Sequence, residues 1–192
     1  MSTLTEYKQA RESLPQEYQA WQVFGAGIEN VGKDGKPVTL PLRDPADNEI
    51  MLRVDALGLC QSDIKIIAQG SKHARLRGRD LATEPTVLGH ECAATVVKVG
   101  KNWEGKFTPG ERFIVQADIY YKGVGYAFGY LIPGGLGQYC YLDERALADL
   151  ARAAWRQLPR LALAPDVPGL LEDLKELAQL VDAIVGSVRD LD

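Results

Sequence analysis

Two short stretches of the chain carry residue types that do chemistry together. One is Gly58-Leu59-Cys60-Gln61-Ser62-Asp63; the other, about 30 positions later, is Gly89-His90-Glu91-Cys92. A thiol, an imidazole and a carboxylate are thereby offered from two places. Thiolate, neutral imidazole and carboxylate are what a zinc ion takes as ligands when one coordination position stays open for reaction. Only two histidines occur, and the other, His73, sits in a run of basic residues where a solvated role is expected. The three cysteines, 60, 92 and 140, are an odd number at wide spacings, which argues against a disulfide framework.

Elements that could hold these residues are legible on either side. Glu49 to Leu57 alternates apolar and polar residues and reads as a strand. Gly58 then lets the backbone turn sharply into Cys60, and a short helix over Asp63–Ile67, beginning at Gln61 or Ser62, follows. Glu84 to Leu88 leads to the His90 turn, and Ala93 to Val99 reads as a buried strand that begins near Cys92, a core residue. Trp21–Phe24, Pro37–Arg43 and Phe113–Gln116 are further strands, with turn material between them. Gly25-Ala26-Gly27 reads as a bulge or kink, since Asn30 stands where a dinucleotide-binding loop needs its third glycine. Many short strands with glycine and proline turns predict a small barrel or sandwich. Gly70 to Asp80, with Lys72, His73, Arg75, Arg77 and Arg79, reads as a solvated basic loop; contact with an anionic ligand is the sharper alternative.

The order Gly-Leu-Cys-Gln-Ser-Asp followed by Gly-His-Glu resembles the zinc-containing medium-chain alcohol and polyol dehydrogenases, over about Trp21 to Glu144. The resemblance implies a mainly β (α+β) fold: a GroES-like, partly open β-barrel, followed here by a helical C-terminal segment. It implies zinc at Cys60 and His90, with Glu91 as an outer-shell carboxylate or ligand and water completing the shell. A zinc-bound histidine usually gives its second ring N–H to a carboxylate, and by resemblance Asp63 takes that of His90. Ser62 matches the hydroxyl that relays the substrate proton. The implied reaction is hydride transfer between an alcohol or polyol and NAD or NADP, with Ser62, Asp63 and Glu91 serving it. Relatives carry four closely spaced cysteines in the segment matching Asp118–Gly137. None stands here, so no structural zinc is expected, and the tyrosines and Phe128 are expected to hold that lobe by packing. Cys140 falls on the strand that returns to the barrel and is expected in the core.

Beyond Glu144 the resemblance stops. The expected organisation is an N-terminal helical extension (1–20), the GroES-like catalytic domain (21–144) and a helical tail (145–192), where relatives continue into a nucleotide-binding domain. The remaining zinc ligand and the nicotinamide site of the family lie past the matching stretch, so no turnover is expected from the chain alone. The alternative is a non-catalytic truncated, chimeric or redesigned scaffold that keeps a zinc-binding barrel. A co-chaperone sharing only the fold is disfavoured by the metal-ligand pattern. The apolar stripe from Leu170 to Leu191 could mediate self-association or fold back over the barrel. With 192 residues and a net charge of −4, the chain has no basic footprint for nucleic acid and no run long enough to span a membrane. No secretion signal is read at the N-terminus, and a reducing cytoplasm is the expected compartment.

Overall fold

The computed structural model describes residues 14–147. The helix expected before Leu14 lies outside them, as does the tail beyond the first turn of its helix.

The long strand β4 (Glu49–Gly58) is the centre of the architecture. It pairs antiparallel with β6 (Glu91–Val99) on one side and with β10 (Tyr139–Asp143) on the other. The short β7 (Arg112–Ile114) adds to β6, giving a four-stranded sheet in the order β10-β4-β6-β7. The sheet curls on through the segment before β10. There Gln138 accepts from the Val54 amide and donates its own amide to Gln19, while Trp21 donates to the Leu136 carbonyl. These bonds join β1 (Glu17–Ala20), itself paired with β3 (Val38–Pro41), to the sheet. A second small pair, β2 (Gln22–Val23) with β5 (Thr86–Val87), and the hairpin β8 (Asp118–Tyr121) with β9 (Val124–Ala127) complete a partly open barrel. Every pairing between these named strands is antiparallel. Helix α1 (Gln61–Gln69) lies between β4 and β5, and α2 (Glu144–Leu147) follows β10 directly.

The main core lies between the curved sheet and the β8–β9 lobe. Ile50, Leu52, Val96, Phe128, Ile132 and Leu142 are almost wholly removed from water. Burial of this kind, at ~25 cal/mol per Å² of apolar surface, is the main term holding a barrel of short strands together. A second cluster around Val23, Ile66, Leu81, Leu88 and Tyr130 seats α1.

Two local expectations are corrected and one is narrowed. Glu17–Ala20, assigned to a helical extension, is a strand: Tyr18 and Ala20 alternate inward against Glu17 and Gln19 outward. Of the two readings for Gly25–Gly27 the kink holds and the bulge does not: the chain bends there into a 3₁₀ turn, Ile28–Asn30, anchored by a bond from the Gly27 amide to the Ile67 carbonyl. The central strand does not alternate cleanly, because Ile50, Met51 and Leu52 are all buried. Ile50 and Leu52 lie in the main core, whereas Met51, in regular register with Tyr141 of β10, is covered outside that core; the pairing with β6 is irregular in two places. Between Met51 and Leu52 the partner on β6 skips Val97, and between Val54 and Ala56 the extra residue is Asp55 on β4.

Candidate metal site

The end of β4 and the start of β6 are neighbouring rungs of one ladder, with Gly58 opposite Glu91 and Leu57 opposite Cys92. Both chain turns that carry ligand-type residues therefore emerge at the same corner of the barrel. Cys60 is the N-cap of α1, in extended conformation, with Asp63 three residues into the helix. One carboxylate oxygen of Asp63 accepts from the Cys60 backbone N–H at 3.0 Å, which is the return half of a capping box. The other accepts from the Gly89 N–H at 3.2 Å. A single buried carboxylate, 1% exposed, thus ties the Cys60 turn to the His90 turn. Gly89 has a φ of +87°, a region costly for residues with a side chain, and a Cβ there would lie 2.8 Å from Leu57. Gly58 has a different use. A Cβ at that position would lie 2.6 Å from a Glu91 carboxylate oxygen, so its absence lets the Glu91 side chain fold over the strand toward Cys60.

The result is a convergence of Cys60, His90 and Glu91, whose ligand atoms all lie within 4.8 Å of one another. Tetrahedral zinc with bonds of about 2.0–2.3 Å needs ligand-to-ligand separations of roughly 3.5 Å, so small side-chain adjustments would close the set. Thiolate, imidazole and carboxylate are the right donor chemistry, and the half-exposed Cys60 and exposed Glu91 leave the site open to solvent on one side. His90 is buried. Its Nδ1 lies 3.4 Å from an Asp63 oxygen, and its Nε2 lies 3.4 Å from Ser62 Oγ. All five residues singled out from sequence, Cys60, Ser62, Asp63, His90 and Glu91, are together at this corner.

One further side chain is there that the sequence did not mark. Tyr130, wholly buried, comes from the lobe after β9. Its phenol oxygen lies 3.0 Å from His90 Nδ1 and 2.8 Å from Ser62 Oγ. Its ring lies 5.2 Å from the imidazole, with the Arg75 guanidinium 5.4 Å from the ring centroid. Burial raises the Tyr130 phenol above its ordinary pKa, against a smaller lowering by the Ser62 hydrogen bond, so the phenol keeps its proton near neutrality. In sequence Tyr130 is one of several tyrosines in a glycine-rich stretch, and only the pairing of β8 with β9 brings it back to the site.

The other expectations sort by contact. Phe128 and Tyr130 do hold the lobe by packing, whereas Tyr120 is 67% exposed. Cys92 and Cys140 are buried core thiols in mutual contact. That contact and full burial push the Cys140 thiol well above its usual range. His73 is half-buried rather than solvated, and its Nδ1 accepts from the Arg75 amide at the start of a 3₁₀ turn. In the basic loop, Arg77 donates to the Gly125 carbonyl and Arg79 to those of Tyr130 and Leu131, so these cations brace the lobe. A cleft of about 380 Å³ lined by Tyr18, Arg43, Tyr139 and Tyr141 includes none of Cys60, His90 or Glu91. No described helix is long and apolar enough to cross a membrane.

Comparison with known proteins places this geometry. The profile of the family described as alcohol dehydrogenase GroES-like domain matches residues 46–152. L-sorbose 1-phosphate reductase of Klebsiella pneumoniae is 32% identical over 125 residues, covering 64% of this chain and 30% of the relative. Sorbitol dehydrogenase of Bombyx mori is 35% identical over 75 residues, 39% of this chain and 20% of the relative. The chain therefore spans less than a third of these curated relatives. Among solved structures, a cobalt- and zinc-bound thermostable alcohol dehydrogenase from Pyrobaculum aerophilum superposes with a TM-score of 0.52 at 21% identity, covering 66% of this chain and 39% of that one. This last likeness bears on the fold alone.

Proposed function

Because this chain belongs to the alcohol dehydrogenase GroES-like domain family, we propose that its barrel is the catalytic lobe of a zinc-dependent alcohol or polyol dehydrogenase. The observation that carries the reading is the convergence of Cys60, His90 and Glu91 at one corner. Bound there, zinc would polarise an alcohol or carbonyl oxygen as a Lewis acid. The protein's own residues do the rest. Cys60 as thiolate and Glu91 as carboxylate balance the metal's charge, and His90 supplies a neutral nitrogen. Asp63 fixes both ligand turns by their backbone amides and faces His90 Nδ1. Ser62 Oγ, beside His90 Nε2, is placed to exchange a proton with an oxygen on the open side.

The relatives' names, L-sorbose 1-phosphate reductase and sorbitol dehydrogenase, favour a small polyol or ketose as substrate. Hydride transfer needs a nicotinamide, NAD or NADP, held against the reacting carbon. The described residues form antiparallel pairs and no parallel strand–helix–strand unit of the kind that binds dinucleotides. Positioning the cofactor is where much of the rate arises. The barrel on its own is therefore proposed to bind metal but not to turn over. Free cysteines at 60, 92 and 140 suit the reducing cytoplasm proposed as its compartment.

The test is metal stoichiometry on the purified chain, followed by assay with sorbitol and either nicotinamide. One zinc per chain, lost in Cys60→Ser and in His90→Ala, is the expected result. Zinc retained in both variants would place the metal elsewhere. Saturable zinc-dependent oxidation by the chain alone would refute the division of labour.

A further inference from the structure

We propose that Tyr130 is a positioning residue of this site, setting the tautomer of His90 and the direction of the Ser62 hydroxyl through one phenol group. The inference rests on the reading of Cys60, His90 and Glu91 as a metal site, and goes beyond it in assigning a residue from a different part of the chain.

The argument follows the hydrogen atoms. His90 Nδ1 faces two oxygens, the Asp63 carboxylate at 3.4 Å and the Tyr130 phenol at 3.0 Å. An ionised carboxylate only accepts. The nearer phenol oxygen, with its hydrogen given to Ser62, likewise presents only lone pairs to Nδ1, so Nδ1 carries the proton and gives it to the phenol. A phenol has one hydrogen of its own, which is then directed to its other neighbour, Ser62 Oγ at 2.8 Å. Ser62 is thereby filled as an acceptor on its buried side. Its own hydrogen must point elsewhere: in the metal-free protein toward His90 Nε2 at 3.4 Å, and once Nε2 holds a metal, toward an oxygen bound on the open side. The chain of donors therefore runs His90 Nδ1–H to Tyr130 O–H to Ser62 O–H. It leaves Nε2 with its lone pair free for coordination.

Asp63 alone does not account for this. Its two oxygens already accept from the Cys60 and Gly89 backbone amides, and its distance to Nδ1 is the longer of the two. Tyr130 is also held independently of the ligands. Its backbone carbonyl accepts from the Thr86 hydroxyl and from Arg79, its ring is fully buried, and Arg75 lies over it. A side chain fixed in this way can orient others because its own rotamer is not in question. Hydrogen bonds of this outer kind typically govern metal affinity by 10–100-fold.

The experiment compares the full chain with Tyr130→Phe and Ser62→Ala, reading the His90 tautomer from ¹⁵N imidazole shifts of the metal-free proteins and the affinity for cobalt(II) by titration. Phe keeps the ring and removes the hydroxyl. The expected results are an Nδ1–H imidazole in the parent, a mixed population in Tyr130→Phe, and cobalt binding weakened about 10–100-fold. In Ser62→Ala the phenol hydrogen loses its acceptor and turns to Nδ1, so the Nε2–H fraction rises although no ligand has changed. That variant decides the matter if Tyr130→Phe does not fold. An unchanged tautomer and unchanged cobalt affinity in the folded variants would overturn the proposal and return the role to Asp63. A parent that binds no cobalt would refute the metal reading instead, while the tautomer shift would still decide the role of Tyr130.

Discussion

Replacing Gly58 with alanine separates the stability of the barrel from the competence of its metal site. The backbone of Gly58 is not in the left-handed region, so alanine meets no conformational barrier there. In a strand the change even removes some unfolded-state freedom, worth about 0.4–1 kcal/mol in favour of folding. Against this, the new Cβ would lie 3.2 Å from Glu91 Cβ, a contact relieved by a shift of a few tenths of an ångström. It would also lie 2.6 Å from Glu91 Oε2, which is not tolerable. The carboxylate is the free end of an exposed side chain and can swing into water at little cost to folding. The barrel should thus keep its stability to within about 1 kcal/mol. The site should not. Displacing a carboxylate that ligates must cost at least what losing an outer-shell partner costs, a factor of about 10–100, or ~1.4–2.8 kcal/mol. Competition with a zinc-binding dye measures the second quantity and urea unfolding the first. Glu91→Gln should weaken zinc similarly, and the double variant should be no worse than either single one. Unchanged zinc affinity in Gly58→Ala, with the fold intact, would show that Glu91 is a bystander at the rim.

Three other outcomes are expected. Cys140→Ser should keep its zinc while Cys60→Ser and His90→Ala lose theirs, as judged by metal content after desalting, because Cys140 is buried in the core against Cys92 and is not among the converging ligand residues. Leu52→Ala removes a wholly buried side chain from the central strand and should cost about 2–5 kcal/mol in urea unfolding. Tyr18, packed edge-on to Tyr139, has its phenol pushed up to about 12, chiefly by burial. The folded state therefore holds that proton more tightly than the unfolded chain. Stability is fully present below about pH 10 and is lost as pH rises toward 12. The loss should be ~1–2 kcal/mol after allowance for partial solvent access, and Tyr18→Phe should flatten the alkaline limb of the stability curve.

What could be read from sequence was whatever local spacing encodes. Cys60 and Asp63 lie within one helical turn, His90 and Glu91 are adjacent, and the strands beside them are long enough to show their period. Strand Glu17–Ala20 was missed because only Tyr18 and Ala20 mark its inner face, and a four-residue strand of this kind is defined by its partner β3. The burial of Met51 beside Ile50 and Leu52 was hidden because alternation predicts one buried face, and here Met51 is covered outside the core that takes its two neighbours. Tyr130 reaches Ser62 from 68 positions away. No local pattern can encode such a contact, which exists only once the lobe has folded back on α1. The arginines of the basic loop looked like a surface charge cluster, yet Arg77 and Arg79 are spent on backbone carbonyls, a use that leaves no mark in composition.

The two irregularities in the central ladder are of opposite kinds, and they cancel. Ile50 faces Val99 and Gly58 faces Glu91 in the same offset, while the rungs from Leu52 to Val54 are displaced by one residue. One extra residue on β4, Asp55, thus answers one on β6, Val97, and each is taken up as a bulge with the rungs on either side still paired. For the history of such a barrel this makes both positions tolerant of a change in length. Loss of Asp55 alone would leave Val54 opposite Ala94 and Ala56 opposite Ala93, so Gly58 stays opposite Glu91 and only the bulge is ironed out. Loss of Val97 alone would likewise leave Met51 opposite Lys98 and Leu52 opposite Val96. Each single deletion should leave a straighter strand pair in which Gly58 still faces Glu91.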